Sequence, residues 1–107
     1  MPAPFIIVLT TLPNRSEAQR LSRLVLKEKL AACVNQIGPL RSSYWWKEKI
    51  ETAQEFLLVI KTRSRCYAKL ENFLKKHHPY DVPEILSLPI QKGNRSYLDW
   101  LKASIRS

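Results

Sequence analysis

The chain has 107 residues, 45% hydrophobic and 25% charged, enough for one globular domain (residues 1–107), too few for two, and unlike a disordered composition. Its net charge is +9, but the excess is spread evenly: eight Lys/Arg and four Asp/Glu over residues 1–53, ten and five over 54–107, with no basic run. It therefore reads as solvated surface charge, and no nucleic-acid partner is expected.

Two cysteines, Cys33 and Cys66, are too few for a disulfide-built secreted domain and lack zinc-finger spacing, so both read as packed apolar residues in a reducing, cytoplasmic compartment. No segment approaches the roughly 20 apolar residues of a membrane span, and the run after Pro4 is too short for a signal-peptide core. No membrane partner is expected.

Phe5 to Thr11 is a near-continuous apolar, β-branched run, which predicts a central strand buried on both faces. After Pro13, Asn14 with Glu17 three residues on predicts a capped helix start. Ala18, Leu21, Leu24 and Val25 form its inner stripe, and it should end near Leu30. Ala31 to Asn35 begins a second strand that Gly38-Pro39 bends or bulges and Leu40 to Trp46 resumes. Lys47-Glu48-Lys49 reads as a tight hairpin turn, and Ile50 to Thr62 as the return strand.

Ser64 is placed to cap a helix over Arg65–His77, with Tyr67, Leu70, Phe73, Leu74 and His77 inward and a Glu71–Lys75 pair on its surface. Pro79 stops it. Ile85 to Ile90 reads as a short strand, and Pro89 near its end suggests an edge or a bulge. Ser96 with Asp99 is expected to cap a final helix whose Tyr97, Leu98, Leu101 and Ile105 point inward. The order β-α-β-β-α-β plus a terminal helix is that of an α+β, ferredoxin-like sandwich. The hairpin from Ala31 to Thr62 is too long to bury both faces in one such domain. Its aromatic tip, Tyr44-Trp45-Trp46, calls for a partner.

Leu30-Ala31-Ala32-Cys33-Val34-Asn35, Tyr44-Trp45-Trp46, Ile50-Glu51, His78-Pro79-Tyr80-Asp81-Val82-Pro83-Glu84-Ile85 and Tyr97-Leu98-Trp100-Leu101 together closely resemble the CutA divalent-cation-tolerance family. The resemblance implies a ferredoxin-like fold assembled as a tight, PII-like homotrimer with clefts between subunits. It also implies a link to tolerance of divalent metals, copper above all, and no established catalytic reaction. Two positions depart from the pattern. Some members carry, where Thr10 stands, a cysteine proposed to join the adjacent histidines on copper; without the thiolate a soft Cu(I) site is not expected. The hairpin turn usually holds glycine where this chain has Glu48.

His77 and His78 are the one histidine pair, with imidazoles suited to Cu(II) or another divalent ion, and Glu84 is a third possible ligand. Each has a structural alternative: a packed core histidine, a hydrogen-bonded loop anchor and a strand-start carboxylate. Thr10, Lys61 and Tyr80 are candidates for a ligand-binding cleft; strand-end solvation for Lys61 and loop packing for Tyr80 are the alternatives. Tyr44, Trp45 and Trp46 are expected at the trimer interface, with a ligand-stacking platform as the alternative for the two tryptophans. No nucleophile–base pair, phosphate loop or carboxylate dyad is visible, so no enzyme activity and no required cofactor are expected. The partners are other copies of the chain and metal ions. The rival reading is a PII-like signalling module that binds a small anion or a partner protein in the same cleft.

Overall fold

The computed structural model describes residues 3–105. Strand β1, Phe5–Leu12, alternates half-buried and buried side chains along its whole length, the period of a pleated strand with one covered face. The expectation that both faces are buried is corrected by this alternation. Helix α1, Arg15–Lys27, starts as the sequence predicts: the Asn14 side chain accepts the Glu17 N–H at 2.8 Å. It stops at Lys27, three residues earlier than predicted, because Lys29 turns left-handed at φ 56°. The Lys29 and Leu30 amides bond back to Leu26 and Val25, the Schellman closure that usually employs glycine.

Strand β2, Cys33–Trp46, and strand β3, Lys49–Arg63, form the long hairpin. Its register shifts between Ile37 and Leu40, so Gly38-Pro39 is a bulge and does not end the strand. Lys47 and Glu48 alone make the turn, both at positive φ, as a type I′ connection requires. A 3-10 turn, Ser64–Cys66, leads into helix α2, Tyr67–His77. Ser64 does not cap it; its hydroxyl donates to the Ala3 carbonyl instead. Strand β4, Leu86–Pro89, is followed by helix α3, Arg95–Ala103. Asn94, not Ser96, caps α3 by accepting the Tyr97 N–H at 3.2 Å, which leaves Tyr97 exposed. The expected Glu71–Lys75 pair is replaced by a Tyr67 hydroxyl donating to Glu71.

The four strands form one antiparallel sheet in the order β2-β3-β1-β4, the split βαβ arrangement. Ile6, Val8 and Leu12 of β1 and Phe56, Leu58 and Ile60 of β3 meet Leu21, Val25, Leu70 and Leu74 from α1 and α2 in the main core. Each fully buried aliphatic side chain here contributes roughly 1.5–3 kcal/mol. Leu101 and Ile105 pack with Cys66 in a smaller cluster beneath α3. The opposite face of the sheet has no helix from α1 or α2 over it. Ile7, Leu9, Leu57 and Val59 are only half-buried there, and Ile37, Leu86 and Leu88 are exposed. The expected ferredoxin-like layout holds, with α1 and α2 on one face; on the other, α3 packs at the end near Phe5 and Lys61 and the rest of the apolar face is open.

Candidate functional site

The end of α2 decides where its two histidines go. Pro79 cannot accept an α-helical neighbour before it, so His78 turns extended at φ −75°, ψ 140° while its N–H still closes the helix on Leu74. That turn separates the pair. His77 stays half-buried with its ring 4.3 Å from Phe73. His78 is buried against β1, where its Nε2 lies 3.1 Å from the Thr10 hydroxyl. The Tyr80 amide donates to His78 Nδ1 at 3.1 Å. A nitrogen that accepts an N–H carries no proton of its own. Neutral His78 is therefore the Nε2–H tautomer and donates to Thr10.

Burial pushes the His78 pKa below the usual histidine range; Arg20 acts the same way, and the Thr11 backbone bond and the carboxylates of Glu17 and Glu55 oppose it. The ring is thus neutral at pH 7. Because its Nε2 holds the proton, it cannot take one from Thr10, and the Thr–His contact is no nucleophile–base pair. The Tyr80 hydroxyl donates to Glu55 Oε2 at 2.8 Å. Burial, then this carboxylate, raises the phenol pKa above its ordinary value. Thr10, His78, Tyr80 and Glu55 thus form one chain of polar contacts from the core to the root of the hairpin, since Glu55 pairs with Leu40 beside the bulge.

Arg20 braces this region from α1. It donates to Glu17 at 2.7 and 3.0 Å and to the His77 carbonyl at 2.6 Å, satisfying a carbonyl that the helix end leaves open. Neither Arg20 nor Glu55 was identifiable from spacing, because both reach across the fold, over 57 and 25 residues.

The structure does not bring His77, His78 and Glu84 together. Glu84 is exposed in the loop before β4, and among the described residues no three His, Cys, Asp or Glu side chains stand close enough to hold a metal ion. Both His78 nitrogens are already engaged. The residues of one chain therefore do not fit a divalent ion. Thr10 is fully buried and faces the helical core, not a cleft; the alternative of a loop anchor describes His78. Tyr80 is half-buried, and Lys61 lies half-buried on the open face with its ammonium 5.9 Å from the Tyr97 ring. Tyr44, Trp45 and Trp46 are 43%, 72% and 58% exposed in the single chain. A groove of about 440 Å³ beside the bulge, lined by Pro39, Leu40, Arg41, Thr52, Ala53 and Gln54, lies between this tip and the core; no sequence pattern indicates it.

The chain matches the CutA1 divalent ion tolerance protein family over residues 6–104. It is 48% identical over 103 residues to the chloroplastic CutA 1 protein of Oryza sativa subsp. japonica, covering 96% of this chain but only 58% of that one. With the divalent-cation tolerance protein CutA of Thermus thermophilus it shares 45% over 96 residues, covering 90% and 93% of the two chains. The crystal structure of CutA1 from Oryza sativa superposes with a TM-score of 0.94 at 47% identity, over 98% of this chain and 96% of that one. With sequence and fold agreeing across nearly all of its length, the chain belongs to the CutA1 divalent ion tolerance protein family.

Proposed function

We propose that this protein serves divalent-cation tolerance as a non-catalytic homotrimer, its copies joined through the hairpin arm and the open sheet face. The observation that carries the reading is the arm itself. Residues 43–52 are all exposed, and Trp45, Trp46 and Ile50 stand 72%, 58% and 66% exposed on a two-stranded extension. Such an extension is marginal alone in water and needs a partner to cover it. The edges of β2 and β4 also present unpaired backbone groups.

Metal would be bound weakly, as Cu(II) or another divalent ion, at clefts between chains. His77 and Glu84 are the proposed ligands from each copy, His78 joining only by giving up a hydrogen bond. The small-anion reading is favoured by Lys61 on the open face, whose ammonium no described carboxylate pairs. For location we propose the reducing cytoplasm, on the two-cysteine composition, although the rice relative is called chloroplastic. No described helix is long and apolar enough to cross a membrane.

Calorimetric titration with Cu(II) tests the ligand assignment: heat should fall as pH drops, since protonated imidazole does not ligate, and should vanish in His77→Ala. Copper binding undiminished in that variant would remove the assignment. A thermal-shift screen of organic acids and nucleotides tests the rival, because a ligand of the native state raises Tm.

A further inference from the structure

The even spread of charge along the sequence does not survive folding. Helices α1 and α2 together carry seven Lys/Arg and two Glu, a net +5 from 24 of the 107 residues and more than half of the total of +9. Within their spans the charged side chains that these two helices expose are cationic, Arg15, Arg20, Arg23 and Lys27 on α1 and Lys69, Lys75 and Lys76 on α2; the exposed acid at the edge of the layer is Glu28, the α1 C-cap, beside exposed Lys29. Both acids within the spans are half-buried and engaged, Glu17 by Arg20 and Glu71 by the Tyr67 hydroxyl. The bond from Arg20 to the last residue of α2 brings the start of α1 beside the end of α2, so Arg15 and Arg20 share one end of the layer with Lys75 and Lys76. The other side of the sheet is the apolar face, so the cations remain outward when copies meet through it.

The chemistry of the layer selects its partner. Its fully exposed positions include no Trp, Tyr or Phe, so nothing is offered to stack on unpaired bases. Leu26, 40% exposed, is the one large aliphatic side chain there, too little for insertion into lipid. What remains is a rigid surface of point charges about 20 Å long, the length of a 13-residue helix. A duplex presents roughly one phosphate charge per 1.7 Å of axis, about a dozen over that length. We propose that the α1–α2 layer docks the phosphate backbone of duplex nucleic acid without reading its bases. This reverses the expectation drawn from the sequence, because the relevant charge density is set by the fold. Arg/Lys–phosphate contacts position a protein on a duplex but carry no sequence information.

Fluorescence anisotropy with a labelled mixed-sequence duplex, from about 50 to 200 mM salt, tests this, with log affinity falling linearly in log salt by about 0.9 per phosphate neutralised. The layer variant is Arg23→Gln, Lys27→Gln, Lys69→Gln, Lys76→Gln. The control removes charge from exposed positions outside both the layer and the arm, Lys92→Gln, Arg95→Gln, Lys102→Gln, and is matched in charge by the layer triple Arg23→Gln, Lys27→Gln, Lys76→Gln. The layer variant should bind about 10-fold or more weakly at low salt with a slope shallower by about two or more, and the control should stay within about 3-fold of the parent. If the fourfold variant does not fold, Lys69→Gln with Lys76→Gln against Lys92→Gln with Lys102→Gln makes the same comparison. No duplex binding at the lowest salt, an equal loss in layer and control variants, or tighter binding to phosphatidylserine–phosphatidylcholine vesicles than to duplex would each overturn the proposal.

Discussion

Replacing His78 by alanine strikes the polar chain at its centre, and its cost can be worked from the contacts. The Thr10 hydroxyl has no exposed surface, so losing its donor leaves a buried polar group poorly satisfied, a cost of about 1–3 kcal/mol. The Tyr80 amide loses its acceptor, worth about 0.5–1.5 kcal/mol. We expect His78→Ala to destabilise by about 2–4 kcal/mol in urea unfolding at pH 8. Thr10→Val in that background should recover about 1 kcal/mol, since the orphaned hydroxyl is then gone. The pH dependence has a definite sign. Burial lowers the folded-state pKa of His78, so its contribution is fully present above the unfolded value of about 6.5. It is lost as pH falls from there through the folded value, because the unfolded chain takes up the proton first. His78→Gln should therefore lose less stability than the parent between about pH 8 and 5.5. A parent-like fall in His78→Gln, or a cost below about 0.5 kcal/mol for His78→Ala, would refute this account of the site.

At Gly38, φ is +154° and an added Cβ would lie 2.6 Å from Phe56 Cδ2 and 3.1 Å from the Glu55 carbonyl; Phe56 is core, so Gly38→Ala should cost about 2–4 kcal/mol in urea unfolding. The nearest atoms that Gly93→Ala meets belong to the Leu98 side chain, at 3.1–3.3 Å, and it should cost under about 1 kcal/mol in the same assay. Glu48→Gly relieves the left-handed residue at φ 65° and should stabilise by about 1 kcal/mol. With two glycines and seven prolines restricting the unfolded chain, calorimetry should find a Tm above the 45–65 °C or so of ordinary mesophile domains, rising with moderate salt as the +5 helical layer is screened.

Local chemistry was legible in the sequence wherever a short-range rule dominates. Asn14 caps α1, Pro79 ends α2, and Gly38-Pro39 marks the bulge, because each acts on its own backbone neighbours. Asn94 displaced Ser96 as the α3 cap because the helix began two residues earlier than the Ser96–Asp99 spacing suggested. The site was harder. The apolar stripe put His77 inward, but the extended turn at His78 sends the second imidazole into the core. Its partners come from β1, and the Tyr80–Glu55 and Arg20–His77 links join distant segments. Charge misled for the same reason: even along the chain, it gathers on one layer only once α1 and α2 pack side by side.

In the proposed assembly the exposed aromatic arm joins copies of this chain. Sedimentation equilibrium at micromolar concentration, on the parent and on the Trp45→Ser/Trp46→Ser variant, addresses it directly. The parent should sediment with the mass of three chains and the variant as a monomer or as aggregates, because Trp45 and Trp46 present the largest exposed aromatic surface on the hairpin. A stable, folded monomer of the parent at that concentration would contradict the account.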